Sequence, residues 1–231
     1  MKFYYDLHIH SSLSPCADDD MTPNNIVNMV LIKGLDVISL TDHNSTKNVE
    51  AVHELCRQKG IKFIPGIEVQ TKEEVHVLCY FFDILDCLNF GEMIYNSLDC
   101  VKNNKYLFGN QLIMDKDDNI VDEAEKLLLS SSSFSVDEIF RMMDGIGAAV
   151  PAHIDRTSYS IISNLGFIPD ITNLKTVEVS SSSIDNRIVA ECIKKYKALT
   201  SSDAHHLGHI SERVNCFDLD DLDMVVDWMC K

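Results

Sequence analysis

At 231 residues, 45% hydrophobic and 24% charged, the chain has the composition of an ordinary globular protein able to bury a sizeable core. A net charge of −16 argues against tight binding to long nucleic acid, which needs a cationic surface, while leaving a nucleotide or a short oligonucleotide end compatible. No apolar run reaches the ~20 residues of a bilayer span, the start MKFYYDLHIH lacks signal-peptide character, and eight scattered cysteines without CxxC pairs read as reduced thiols, so a cytoplasmic location is expected.

In chain order, FYYDLHI is strand-like, and TPNNIVNMVLIKG is a helix with Thr22 as N-cap, Pro23 in the first turn and Gly34 closing it. DVISLTDH is a buried strand, STKNVEAVHELCRQKG a second helix and KFIPGIEV a further strand, an alternation that favours parallel strands under outer helices. EVHVLCYFF follows after too few residues for a parallel crossover, so the two strands form a hairpin that brings Glu68 and His76 to one end of the sheet.

Residues 84–144 read as a mostly helical insertion, interrupted by FGNQLIMDKDDNIV as a small hairpin around an acidic turn. That turn is not an EF-hand, because Ile120 and Lys126 stand where the loop needs Gly and Glu. SSSSFS at 130–135 is a linker and N-cap to the helix VDEIFRMMDG. Alternation then resumes through GAAVPAHI, LKTVEVSSS, IDNRIVAECIKKY and KALTSSDAH to a final helix near DLDDLDMVVDWM. The expected architecture is α/β, one barrel-like domain over residues 1–231 with the insertion at about 84–144.

Polar residues fall at the strand ends. His8 and His10 point the same way from the first strand, Asp42 and His43 end the second, and Glu68 ends the third. His76 begins the hairpin partner, His153 ends GAAVPAHI, and Asp203 and His205 end KALTSSDAH. A barrel gathers such ends at one mouth, and His, Asp and Glu are ligand types for Zn²⁺, Mn²⁺ or Fe²⁺. Each residue alone reads as a hydrogen-bonded structural group or a helix cap. Their coincidence at one mouth points to a metal site. His53 lies within a helix, and His206 and His209 follow the last motif on a loop.

DLHIHSS, LTDHN, GIEV with HVLCYF, PAHID and SSDAH together resemble the PHP (polymerase and histidinol phosphatase) superfamily, in family order over nearly the whole chain. The resemblance implies a distorted TIM-like (β/α)7 barrel, two or three divalent metal ions, and phosphoester hydrolysis by metal-bound water. Carried over, His8, His10, Glu68 and Asp203 are ligands on one side. Glu68 bridges to His43, His76 and His153, and His205 helps hold a third ion, with Asp203 and His205 next to the chemistry. Asp42 is implied to orient a histidine from behind. The family often has an aspartate ligand five residues after the second histidine, where this chain has Pro15, and Asp18 is the residue expected to reach back instead. Arg156, Arg213 and Arg187 are candidates for contact with the substrate phosphate. The expected substrate is a small phosphorylated metabolite or nucleotide, with no long nucleic acid and no membrane as partner. The competing readings are a non-phosphate, amidohydrolase-like metal hydrolase and a non-catalytic metal-binding module.

Overall fold

The computed structural model describes residues 1–180 and 187–231. Strand β1 (Lys2–Asp6) leads to α1 (Pro23–Lys33), β2 (Val37–Leu40), α2 (Val49–Lys59), β3 (Lys62–Gln70) and β4 (His76–Phe81). The insertion holds α3 (Ile84–Ser97), α4 (Lys105–Phe108), β5 (Leu112–Met114), β6 (Ile120–Glu123) and α5 (Val136–Met143). The remainder runs through β7 (Gly147–Pro151), α6 (Ile161–Leu165), β8 (Thr176–Glu178), α7 (Arg187–Lys195), β9 (Lys197–Leu199), β10 (Cys216–Asp218) and α8 (Val225–Cys230).

Local chemistry sets these boundaries. The Thr22 side chain accepts from Asn25 N, Pro23 opens α1 with no N–H to lose, and Gly34 closes it at φ 68°. The short Thr71–Val75 connection turns β3 back into β4, which pairs antiparallel with Glu68 opposite Leu78 and Gln70 opposite His76. Parallel pairing joins β1 to β2 and β2 to β3. The curled sheet runs β10-β1-β2-β3-β4-β7. The parallel pair β8–β9 extends it towards closure: Ile154 N donates to Glu178 O beyond β7, and Ile9 bridges Ala204 beyond β9. The result is a distorted TIM-like barrel.

Alternation on β4 shows the two faces. Leu78 and Tyr80 lie inside with Leu7, Val37 and Ile64, and the Tyr80 hydroxyl donates to Leu7 O across the barrel. Val77, Cys79 and Phe81 face the helical layer, where Phe81 meets Phe90 of α3 at 5.3 Å. Glu68 and His76 take the inner parity, which carries them to the mouth.

Two expectations change. Strand β10 was not anticipated; it pairs antiparallel with β1 at the sheet edge. The insertion is helical only at its ends and in α4. Between α4 and α5 the expected small hairpin is present as β5–β6, turning where the Asp115 carboxylate accepts from Asp117 N and Asn119 N. The insertion docks on the site loops. Gly91 in α3 sits so close to Thr46 that a Cβ would lie 2.0 Å from its Oγ1, and the Asn48 side chain donates to both Ser11 Oγ and Leu112 O.

Candidate metal centre

At the mouth, the carboxylate of Glu68 is the hub. Its Oε1 faces His76 Nδ1 at 3.0 Å, His8 Nε2 at 3.3 Å and His153 Nε2 at 3.4 Å. Its Oε2 faces His43 Nδ1 at 2.9 Å and His10 Nε2 at 3.4 Å. Asp203 Oδ1 approaches His10 Nε2 at 3.1 Å and His8 Nε2 at 3.2 Å. Among the described residues, donor atoms within 4.8 Å of one another form three sets: His8, His10 and Asp203; His43, Glu68 and His76; and His10, His43 and His205.

The groups behind the rings decide which nitrogens face inward. His8 Nδ1 lies 3.0 and 3.1 Å from the two Glu178 oxygens, so it carries the proton and leaves the Nε2 lone pair pointing into the site. Ser14 Oγ donates to Asp42 Oδ1 at 2.7 Å and therefore accepts from His10 Nδ1 at 3.0 Å. Asp42 also accepts from Ser11 N and Ser11 Oγ, so it orients His10 through Ser14. In neutral rings this sets His8 Nε2 and His10 Nε2 lone pair to lone pair, 3.1 Å apart. A proton or a cation between them resolves the repulsion. Glu68 Oε1 and Oε2, Asp203 Oδ1, and Nδ1 of His43, His76 and His153 are buried without an aligned hydrogen-bond partner. Buried carboxylate oxygens and imidazole nitrogens converging without donors are the donor set a divalent cation satisfies.

Electrostatics agree. Burial opposes ionisation of Glu68, yet His76, His8 and His43 hold it well below the usual carboxylate range. Burial likewise raises Asp203, and His8 and His10 outweigh it downwards. Burial lowers His8, but Asp203, Glu178 and Glu68 lift it well above its ordinary value. His10 falls, by burial and then by its neighbours His205 and His43. Strain collects here as well: Asn44, His153, Tyr159 and Asp203 all have positive φ, between 29° and 54°.

A cavity of about 240 Å³ opens from the centre to solvent, lined among others by Cys16, Arg156, Ser158 and Tyr159. Arg156 Nη1 pairs with Asp203 Oδ2 at its rim. The Tyr159 ring stacks on His76 at 4.8 Å and stays 46% exposed. Two expected residues lie elsewhere. Asp18 turns outward to His206 Nδ1 because its own N–H donates to His205 O, which points the loop away from the centre. Arg213 stacks over Tyr4 at 4.2 Å beside Asp36, held by a cation–π contact away from the cavity lining. Arg187 opens α7, and its side chain lies outside the described residues.

Three participants were not anticipated. Glu178 sits in TVE at a strand end, the signal that flagged Glu68. Tyr159 carries no sequence signal. Cys16 was counted with the scattered thiols, although it is a metal-ligand type six residues after His10. Burial raises its thiol, but hydrogen bonds with His205 and then His43 prevail and bring it down to about 6.

The family model for the PHP domain matches residues 6–229. The chain is a PHP-domain protein. Over 82 residues it is 30% identical to a 5'-3' exoribonuclease of Haemophilus influenzae, a match covering 34% of this chain and 29% of that protein. Over 76 residues it is 29% identical to a 3',5'-nucleoside bisphosphate phosphatase of Chromobacterium violaceum, covering 32% of this chain and 26% of that protein. The PHP-domain chain therefore matches under a third of the length of these relatives. The lesion-specific endonuclease PfuEndoQ of Pyrococcus furiosus superposes with a TM-score of 0.67 at 21% identity, covering 99% of this chain and 56% of that one. These findings overturn the expectation of a small substrate with long nucleic acid excluded, since nucleases stand among the relatives of this acidic PHP domain. Total charge averages over a surface, whereas binding depends on the potential at the mouth. Among the described residues, no helix is long and apolar enough to cross a membrane.

Proposed function

We propose that the chain is a metal-dependent phosphoesterase that hydrolyses phosphoester bonds of nucleotides at the ends of nucleic acids. The observation that carries this reading is the buried Glu68 hub, whose carboxylate meets five inward-facing imidazoles with no aligned hydrogen-bond donor. His8, His10 and Asp203 would hold one divalent ion, His43, Glu68 and His76 a neighbouring one, with His153 beside Glu68 and His205 completing a third set. When bound, such ions neutralise phosphoryl oxygens and lower the pKa of a coordinated water.

The protein groups have separate tasks. Glu178 and the Asp42–Ser14 pair fix the tautomers of His8 and His10. Arg156 brings a guanidinium to the rim, where its planar fork fits two phosphate oxygens once it shares Asp203 with a metal. Tyr159 offers a π face on which a terminal base can stack. An open cavity of about 240 Å³ suits one terminal nucleotide unit with the rest of the strand outside.

The test is hydrolysis of 5'-phosphorylated RNA and DNA oligonucleotides, mononucleotides and nucleoside bisphosphates by metal-reconstituted protein, beside Glu68→Gln and His8→Ala. Metal-dependent release of nucleotide or phosphate, lost in both variants, supports the reading. Metal uptake with no turnover on any phosphoester refutes it.

A further inference from the structure

Gln70 ends β3 two residues beyond Glu68, so its side chain takes the same inward parity and lines the cavity at the mouth. It is 5% exposed and stands opposite His76 in the antiparallel pairing. A carboxamide buried to that degree needs partners for both its oxygen and its NH₂. Here they come from the His76 ring and from the insertion. His76 Nε2 lies 3.3 Å from Gln70 Oε1, and Gln70 Nε2 donates to Ser131 Oγ at 3.0 Å.

The backbone of Gln70 is fixed from both sides. Its N–H donates to Asn44 Oδ1 at 2.9 Å, and its carbonyl accepts from Ser132 N at 2.8 Å. Asn44 in turn donates its NH₂ to Leu128 O at 2.8 Å and to Ser130 O at 2.9 Å. Residues 128–132 of the insertion are thus tied to the segment that carries His43 and to the strand that carries Glu68. The two ring nitrogens of His76 differ in what they meet. Nδ1 is 3.0 Å from Glu68 Oε1 without the alignment of a hydrogen bond, whereas Nε2 is aligned on Gln70. A neutral imidazole carries one proton, so a proton on Nε2 leaves the Nδ1 lone pair facing the Glu68 side. The carboxamide then has to show its oxygen to His76 and its NH₂ to Ser131, which is the arrangement present.

We propose that Gln70 is the positioning residue for His76, its carboxamide oxygen accepting the Nε2 proton so that Nδ1 is left bare towards the ion that His43, Glu68 and His76 would hold. The insertion then does more than cover the barrel. Ser131 aims the carboxamide, and the carboxamide aims the ring. Glu178 fixes the tautomer of His8 from behind in the same way, but Gln70 does so as a neutral group that leaves the charge of the centre unchanged. The inference rests on the metal centre proposed above and gives one of its ion positions a support from the insertion.

Zinc titration against a chelator of known affinity tests it without using activity. Gln70→Leu should weaken one bound zinc ion by about 10- to 100-fold, the loss that follows removal of a group behind a histidine ligand, and leave the others unchanged. Gln70→Glu still offers an oxygen to the Nε2 proton and can accept from the Ser131 hydroxyl, so zinc affinity should return to near the wild-type value. A role confined to packing would instead lower stability in both variants and spread the loss over every ion. NMR of the zinc-loaded native chain covers the case of a variant that folds poorly. Long-range ¹H–¹⁵N spectra read the tautomer, His76 being the ring whose signals vanish in His76→Gln, and the proton is expected on Nε2. Unchanged affinity at every ion in a folded Gln70→Leu protein, equal loss in Gln70→Leu and Gln70→Glu, or a His76 proton on Nδ1 overturns the proposal while leaving the phosphoesterase reading standing. A wild-type chain that binds no zinc overturns both.

Discussion

Glu178→Gln isolates a group that touches no substrate in any reading of this site. The Glu178 carboxylate is 2% exposed and accepts from His8 Nδ1 and from His153 N at 3.0 Å. A glutamine of equal size has one acceptor oxygen and an NH₂ that only donates. With its oxygen at the Oε2 place, on both His153 N and His8 Nδ1, the NH₂ stands at the Oε1 place 3.1 Å from the same Nδ1–H, and the clash of two donors drives the ring proton towards Nε2. That proton then points at the Glu68–Asp203 side, where a cation belongs. Loss of such a supporting carboxylate costs about 10- to 100-fold in metal affinity, or roughly 1.4–2.8 kcal/mol at 1.4 kcal/mol per factor of ten. The buried setting and the lost attraction between Glu178 and His8 place the expected value near the upper end. The assay is competition with a chelator of known affinity, read alongside phosphoester turnover at rising metal concentration. Turnover should recover as metal rises, because affinity has changed and the other ligands have not. Wild-type affinity in a folded Glu178→Gln protein would refute the tautomer reasoning.

Arg156→Ala should raise KM for phosphoesters roughly tenfold, the low end for a charged hydrogen bond because the side chain is 43% exposed, with kcat changed less; steady-state kinetics read the split. Tyr159→Ala should weaken nucleotide substrates by roughly 1–3 kcal/mol and leave ribose 5-phosphate unaffected, whereas Tyr159→Phe keeps both, measured as kcat/KM on the paired substrates. Asp6→Ala strands the Ser202 and Ser211 donors that tie the Asp203–His205 loop to β1, so urea unfolding should show a loss of about 3 kcal/mol and metal stoichiometry should fall. At the N-terminus of α5, Ser135 donates backbone and hydroxyl hydrogens to Glu138 and lowers its carboxyl. A depressed folded value stabilises above the unfolded pKa of 4.5 and is lost as pH falls through the folded one. Glu138→Gln should therefore unfold below wild type at neutral pH, the two melting curves converging in acid.

Legibility in the sequence tracked the range of the interaction involved. The Thr22 and Gly34 caps are local and could be read directly, and the β3–β4 hairpin followed from a connection too short for any alternative. The alternation that aims His8 and His10 one way, and Glu68 and His76 inward, is a property of strands and needed no tertiary knowledge. Asp18 failed because the loop path depends on His205 O and on Gly109 packing over Pro15, both far away in sequence. Glu178 was missed for the same reason, its partner His8 lying 170 residues away. Arg213 was assigned from its nearness to SSDAH, yet Tyr4 and Asp36 offered its guanidinium a closer home. Strand β10 completes an edge that only β1 can define.

The largest misreading, of partners from net charge, has a physical resolution at the same mouth. At physiological ionic strength, charges separated by more than about 8 Å of solvent are largely screened. A phosphate entering the cavity therefore senses Arg156 and the centre more than the distant acidic surface of a chain carrying −16. With metal bound, histidine ligands are neutral, so the ionised Glu68 and Asp203 carboxylates would contribute two negative charges at the centre. Each divalent ion adds two positive charges, so two ions reverse the local sign, and Arg156, released from Asp203, adds to it. On the reading proposed above, a phosphorylated end entering the mouth would meet that reversed local charge. That combination predicts a shallow dependence of substrate KM on salt, about one phosphate contact in slope instead of the six to ten of a groove-binding protein. A steep slope would mean that several phosphates of the strand meet cationic groups outside the mouth, and would refute this account.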